Sequence, residues 1–297
     1  MASPTHLEKL LVCTDDSPDS QGACHAALEL ASSSGSKVVL LQVIPYIPTY
    51  ELQPMDLMGP ATPTVNLELM AGREAAVRDH LKAWATEAAN RGVDMEVRVR
   101  TSTTEYDGIL EEAEVLNPYL LLMGRHGRTG LSRLLMGSVT ARVIGHSPVN
   151  VLVVPRGVTL SFQKILVGSD GSPGSLVAWE EALGIAKKQR SSLIAASVAR
   201  GDAEVVLAEE ILRELAAAAA AQGIAVETLT LKGRPDAALL KTAQEQQVNL
   251  IILGSHGRTG LARLLMGSTT ERVIGQSPCP VLVVKREIGR ASCRERV

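Results

Sequence analysis

Residues 120–154 read LLLMGRHGRTGLSRLLMGSVTARVIGHSPVNVLVV, and residues 250–284 read LIILGSHGRTGLARLLMGSTTERVIGQSPCPVLVV. The two stretches align without a gap, and 25 of their 35 positions are identical. Agreement of that density means internal duplication. A second pair opens the halves: KLLVCTDDSPDS at 9–20 and KILVGSDGSPGS at 164–175. The opening segments lie 155 residues apart and the closing ones 130, so the first half carries 25 additional residues. These fall at 45–69, a segment rich in Pro, Met and Thr that contains YIPTY at 46–50. The second half passes almost directly from strand to helix near Gly201.

Working outward, apolar runs of strand length recur at 10–13, 38–44, 120–123 and 151–154. They are nearly continuous, as parallel strands covered on both faces are. Residues 95–99 instead alternate apolar with charged side chains, which suits a half-exposed edge strand. Helical segments are expected at 17–33, 68–91, 106–116 and from Ser138. The second half repeats the scheme with strands at 165–167, 193–198, 226–231, 250–253 and 281–284, and helices from Ser172, Ala203, Pro235 and Ser268. The alanine tract at 216–221 has high helix propensity. Strict alternation of strand and helix predicts an α/β, Rossmann-like doubly wound fold. The expected units are residues 1–157 and 158–286, joined by a linker at 156–162. Residues 287–297 (EIGRASCRERV) have no counterpart in the first half and are expected to be a non-domain tail, outside the fold.

Composition narrows the function. The 297 residues carry a formal net charge of -2, so no global field draws the chain to nucleic acid or an anionic membrane. One Phe, two Trp and four Tyr leave few stacking platforms for single-stranded nucleic acid. The N-terminal residues lack an apolar signal-like core, and no apolar run is long enough to span a bilayer. The expectation is a cytoplasmic protein with neither nucleic acid nor membrane as partner. Cys13, Cys24, Cys279 and Cys293 form no C-x-x-C pair and neighbour no His cluster, so neither a zinc site nor a redox pair is indicated. Cys13 reads as a buried strand thiol.

The chemistry sits in the loop after the fourth strand. Gly124 and Gly127 are followed, after nine intervening residues, by Gly137 and Ser138 at a helix start; Gly254, Gly257, Gly267 and Ser268 repeat the spacing. Glycines allow close backbone approach to a phosphate chain and accept positive φ. A helix N-terminus presents unpaired N–H groups and a positive dipole end to an anion. Ligands of open α/β sheets bind beyond the carboxyl ends of strands, where this loop lies. A single such loop is explained equally well by turn chemistry, with Gly124 ending a strand and Ser138 capping a helix. Ser268 with Glu271 fits a capping box. The pattern is neither G-x-G-x-x-G nor a P-loop. Asp15 and Asp170 are expected to end the first strand of each half, where a carboxylate can meet ribose hydroxyls or an adenine amino group; alternatively, Asp15 or Ser17 caps the following helix. His126 and His256 stand one per loop and read as polar supports of the backbone. Arg128 and Arg258 fit either phosphate screening or simple solvation.

Gly-x-x-Gly, nine residues, then Gly-Ser, set between a Val/Ile/Leu strand and a closing V-L-V-V strand, resembles the ATP-binding signature of the universal stress protein family, and the likeness covers both halves. The resemblance implies five-stranded parallel sheets in the order 3-2-1-4-5 and pairing through the last strands, either internally or in a homodimer. It implies ATP as ligand, with or without Mg2+. Carried over by position, the base and ribose contacts are Asp15 and the backbone of Cys13 and Val43; Met123, Gly124, Gly127, Gly137, Ser138 and Val139 meet the phosphates and ribose. Gly168, Asp170, Val198, Leu253, Gly254, Gly257, Gly267, Ser268 and Thr269 are their counterparts in the second half. Cys13 and Gly168 occupy a variable position, and the absence of a long segment after Val198 alters the second adenine pocket. No acid–base pair or Walker-type Asp stands near the loop, so no catalytic residue is assigned. A nucleotide-dependent binding module in the stress response is favoured over a slow ATPase or phosphotransferase, and over a ligand-free dimerisation unit.

Overall fold

The computed structural model describes residues 9–46, 49–50, 63–64, 67–127, 136–257 and 266–285. Most of the 45–69 segment, Arg128, Arg258 and the 287–297 tail lie outside the described residues. The first half runs β1 (Lys9–Cys13), α1 (Pro18–Ser34), β2 (Lys37–Pro45), a two-residue ladder of β3 (Thr49–Tyr50) with β4 (Pro63–Thr64), α2 (Leu67–Asn90), β5 (Met95–Ser102), α3 (Glu105–Leu116), β6 (Leu120–Gly124), α4 (Ser138–His146) and β7 (Asn150–Val154). The second runs β8 (Lys164–Gly168), α5 (Pro173–Gln189), β9 (Ser192–Ala199), one 3-10 turn (Asp202–Glu204), α6 (Val205–Ala221), β10 (Val226–Lys232), α7 (Pro235–Glu245), β11 (Leu250–Gly254), α8 (Ser268–Gln276) and β12 (Val281–Val284).

Local chemistry sets the helix boundaries. Ser17 caps α1 by accepting from the Ser20 N–H, and Pro18 takes the first helical position, where its missing N–H costs nothing. Ser172, Ser175 and Pro173 repeat this at α5. The exits differ: α1 ends on Gly35 at φ 71, whereas α5 ends on Arg190 at φ 57.

Strand residues alternate between two apolar layers. Leu10 and Val12 pack against α1 and α2, while Leu11 and Cys13 face α3 and α4; each layer continues into the second half. The outer strand β5 is half-buried along most of its length. Its Arg98 and Arg100 both bind the buried carboxylate of Glu112, Arg100 at 2.9 Å, and Arg98 also donates to Glu96 at 2.6 Å. Charge on an edge strand discourages pairing with a foreign chain.

Ten strands form one sheet in the order β10-β9-β8-β11-β12-β7-β6-β1-β2-β5. Within each half the pairs are parallel and follow the order 3-2-1-4-5, leaving the small β3–β4 ladder aside. The one antiparallel junction in this sheet is the seam between the halves. Val281 pairs with Val153, Leu282 with Leu152 and Val283 with Val151. Leu152 and Leu282 are counterparts at the 130-residue offset, so the seam has the self-complementary register of a two-fold interface. Of the two expected pairings of the last strands, the internal one is formed, with residues 151–153 against 281–283.

Two cations clasp the seam. Arg125 Nη1 donates to the carbonyls of Ile274, Gly275 and Ser277 at 3.4, 3.3 and 3.0 Å, at the C-terminal end of α8. Lys285 Nζ donates to the Ile144 carbonyl and, at 3.3 Å, to that of Gly145, at the end of α4. Each cation sits where the helix dipole is negative and carbonyls lack intrahelical partners. The counterparts of Arg125 and Lys285 are Ser255 and Pro155, so the halves close the same contact from different positions.

Val151 is fully buried, and Val151→Lys places an ammonium inside the seam. Loss of about 3 kcal/mol or more of stability is expected, with a urea midpoint that does not move with protein concentration, because both strands belong to one chain. A midpoint that falls on dilution would show that the strand pairs between chains instead.

Burial pushes the Lys285 ammonium from its ordinary 10.5 down to about 8. Between these values the unfolded chain holds a proton that the folded chain has released. This group's contribution to stability therefore rises from pH 8 to 10.5 and is lost as pH falls through 8. Lys285→Met is expected to flatten that part of the stability–pH curve, read as the difference between wild-type and variant unfolding free energies across the window. Parallel curves would contradict the assignment.

Candidate functional site

Asp15 and Asp170 do not end the first strand of each half, as expected, but lie two residues beyond β1 and β8, in a hydrogen-bonded corner. The Asp15 carboxylate accepts from the Ser17 N–H at 3.1 Å through Oδ1, and Asp170 does the same for Ser172 at 3.0 Å. Between them the chain turns through a left-handed residue, Asp16 at φ 67 in one half and Gly171 at φ 76 in the other. Buried serines fasten the corner: Thr14 Oγ1 lies 3.1 Å from Ser20 Oγ, and Ser169 Oγ donates to Ser175 Oγ at 3.0 Å. The capping serines then reach across to the glycine loop. Ser17 Oγ donates to the His126 carbonyl at 3.3 Å, and Ser172 Oγ to that of His256 at 3.5 Å.

The glycine loop closes on itself in the same way in both halves. The Gly137 N–H donates to the Arg125 carbonyl and the Gly267 N–H to that of Ser255, each at 2.9 Å. Thr140 Oγ1 and Thr270 Oγ1 donate to the carbonyls of Gly124 and Gly254, each at 3.0 Å. The loop's departure and return points are thereby fixed beside each other.

Two expectations about this loop need correction. None of Gly124, Gly127, Gly137, Gly254, Gly257 and Gly267 has positive φ; close approach is what excludes a side chain. A Cβ on Gly124 would lie 2.6 Å from the Asp19 carbonyl carbon, and one on Gly254 2.7 Å from Gly174, so these glycines seat the first turn of α1 and α5. A Cβ on Gly127 would lie 2.7 Å from Asp15 Oδ2, and one on Gly257 2.5 Å from Asp170 Oδ2. The second correction is the capping box. Gly267, not Ser268, is the N-cap of α8, and no side chain caps it. Ser268 and Ser138 are first helical residues, and the opening N–H groups of α4 and α8 carry no side-chain cap. A helix start left so offers its donors to an anion.

In the second half a cleft of about 250 Å³ opens at the carboxyl ends of β8, β9 and β11. Gly168, Asp170, Val198, Leu253, Gly254, Gly257, Gly267, Ser268 and Thr269, the nine candidates from sequence, all line it. Ala196, Leu239, Arg200 and Glu204 line it too and were not singled out from sequence. Repetition of the motif pointed to neither Ala196 nor Leu239, because both read as ordinary core residues. In the first half Cys13, Val43 and Met123 are buried side by side in one apolar layer beneath the equivalent loop. Burial raises the Cys13 thiol far above its ordinary range, which leaves it protonated and inert.

The loop histidines hold local contacts. His126 Nδ1 lies 3.8 Å from Asp19 Oδ1, and His256 Nδ1 lies 3.1 Å from Ser255 Oγ. Among the described residues no group of three His, Cys, Asp or Glu side chains could hold a metal, and no helix is long and apolar enough to cross a membrane.

The chain resembles known proteins along its whole length. A universal stress protein of Mycolicibacterium smegmatis is 26% identical over 93% of this chain and 96% of its own. A universal stress protein of Methanocaldococcus jannaschii is 34% identical across 45% of this chain and 88% of its own, as a relative of one half must be. The crystal structure of a universal stress protein from Archaeoglobus fulgidus superposes with a TM-score of 0.73 at 26% identity, covering 94% of this chain and 98% of that one. The family model described as universal stress protein family matches residues 6–155 and again 161–285. With the duplicated loop, the strand order and the seam, these matches make the chain a member of the universal stress protein family, built from two family units in tandem.

Proposed function

We propose that each half binds an adenine nucleotide, with ATP as the ligand, and that the chain acts in the cytoplasm as a nucleotide-dependent binding or regulatory module of the stress response. The observation that carries this reading is the convergence of nine motif-derived residues on one cleft beneath the uncapped start of α8. Each has a chemical task there. The N–H groups of α8 with the hydroxyls of Ser268 and Thr269 suit phosphate oxygens. Asp170, whose Oδ1 is engaged by Ser172, has Oδ2 at the glycine loop, where it suits ribose hydroxyls. Val198 and Leu253 offer an apolar wall to the base. In the first half Ser138, Val139, Asp15, Val43 and Met123 take these tasks. A Mg2+ ion would be carried by the phosphates. Binding rather than turnover is favoured because the sequence offers no Walker-type Asp near the loop.

Calorimetric titration of the full chain with ATP is expected to show binding at up to two sites. Gly127→Val and Gly257→Val are each expected to remove one of them and leave the fold intact. The new side chain must displace the Asp15 or Asp170 carboxylate and fill the space of the phosphates. Two full equivalents bound by both variants would place the phosphates elsewhere. Absence of heat and of any thermal shift with millimolar ATP, ADP or AMP would overturn nucleotide binding altogether.

A further inference from the structure

The two halves share a motif but not a floor. At the 155-residue offset, Cys13 corresponds to Gly168 and Leu41 to Ala196, both on the sheet face that carries the base-side wall. Leu41 is fully buried and Cys13 is 6% exposed, so the first half fills this layer with side chains. In the second half the same two positions are a glycine and an alanine that line the cleft. Nor can Gly168 take a larger residue quietly: a Cβ there would lie 2.7 Å from Leu253 Cδ2 and 3.0 Å from Leu239 Cδ1.

The helix above the floor differs in the same direction. Gly108 in α3 lets that helix settle onto Val43, since a Cβ at Gly108 would lie 2.7 Å from Val43 Cγ1. Its counterpart in α7 is Ala238. Val43 is accordingly buried, while Val198 keeps part of its surface open to the cleft. Three exchanges therefore separate the base side of the first half from that of the second.

Building on the nucleotide reading above, we infer that the halves are unequal sites: the second half is the tight site for the purine base, the first a weak one, and Gly168, Ala196 and Ala238 against Cys13, Leu41 and Gly108 set the difference. Apolar pockets discriminate by about tenfold or more for one methylene-sized change, so a gap of at least that order is expected between the two dissociation constants.

The test is calorimetry of the full chain with ATP, in wild type and four variants. Wild type is expected to show two classes of site about tenfold or more apart, with Gly257→Val abolishing the tight class and Gly127→Val the weak one. Gly168→Cys is expected to weaken the tight class by about tenfold and leave the weak class unchanged. Cys13→Gly, made in the other half, is expected to strengthen the weak class, and it keeps the inference testable if Gly168→Cys fails to fold. Two equal classes, each removed by its own glycine variant, would overturn the inequality while leaving nucleotide binding intact. A tight class that follows Gly127 instead of Gly257, or a Cys13→Gly variant with unchanged affinities, would overturn it likewise. No binding by wild type would overturn the nucleotide reading itself.

Discussion

Strand β7 lies beside β12 in antiparallel register, and Leu152 faces its own counterpart Leu282. Each half alone would end in an uncovered strand of aliphatic residues with a free row of backbone donors and acceptors. Such an edge invites pairing with any passing strand. Joining the two edges satisfies both rows and extends the apolar layers on either side of the sheet from one half into the other. The linker matters here through concentration: a partner tethered by a few residues meets its edge far more often than one free in solution. What remains exposed are the outer strands β5 and β10, and β5 carries its arginine–glutamate lattice.

The antiparallel seam also decides where the glycine loops begin. Within the ten-stranded sheet the strands of one half point one way and those of the other point back, so Gly124 and Gly254, at the ends of β6 and β11, lie at opposite margins. Helices α4 and α8 therefore each run from their own loop toward the margin occupied by the other half. Their C-terminal carbonyls arrive beside residues that sequence offset would never pair. Arg125, in the first glycine loop, receives α8; Lys285, just past β12, receives α4. Burial costs both cations, lowering the pKa of Arg125 as well as that of Lys285. The helix-end carbonyls offset part of that cost.

Much of this was legible in the sequence, for an identifiable reason. Duplication makes each half a control for the other, so a motif kept twice through 35 residues marks both the fold and the loop. Alternating strand and helix followed from periodicity, and pairing through the last strands from the family resemblance. Three things were not legible. The capping box at Ser268 and Glu271 satisfies the pattern, but the chain enters the helix one residue earlier, at Gly267, and only backbone geometry reveals that. The loop glycines were credited with positive φ, whereas what they need is the absence of a Cβ against α1, α5 and the two aspartates. The Arg125 and Lys285 clasps were hidden because they link positions that are not counterparts.

Divergence between the halves follows a consistent physical logic at contacts where one residue cannot change alone. Arg142 on α4 lies 4.8 Å from the ring centre of Tyr106 on α3, a cation–π contact. In the second half Arg272 keeps the cation, but Asp236 replaces the ring and the pair becomes ionic at 3.9 Å. Asp19 accepts from the Arg156 N–H at 3.1 Å near His126; its counterpart is Gly174, where a Cβ would press to 2.8 Å on the His256 carbonyl. In each case the contact between elements persists while its chemistry changes. The glycine loop and its serine-fastened corner show the opposite behaviour, with the same bonds at nearly the same lengths in both halves. That part of the scaffold cannot change one residue at a time, because a Cβ on Gly124 or Gly254 would meet the backbone of α1 or α5, and one on Gly127 or Gly257 the carboxylate of Asp15 or Asp170.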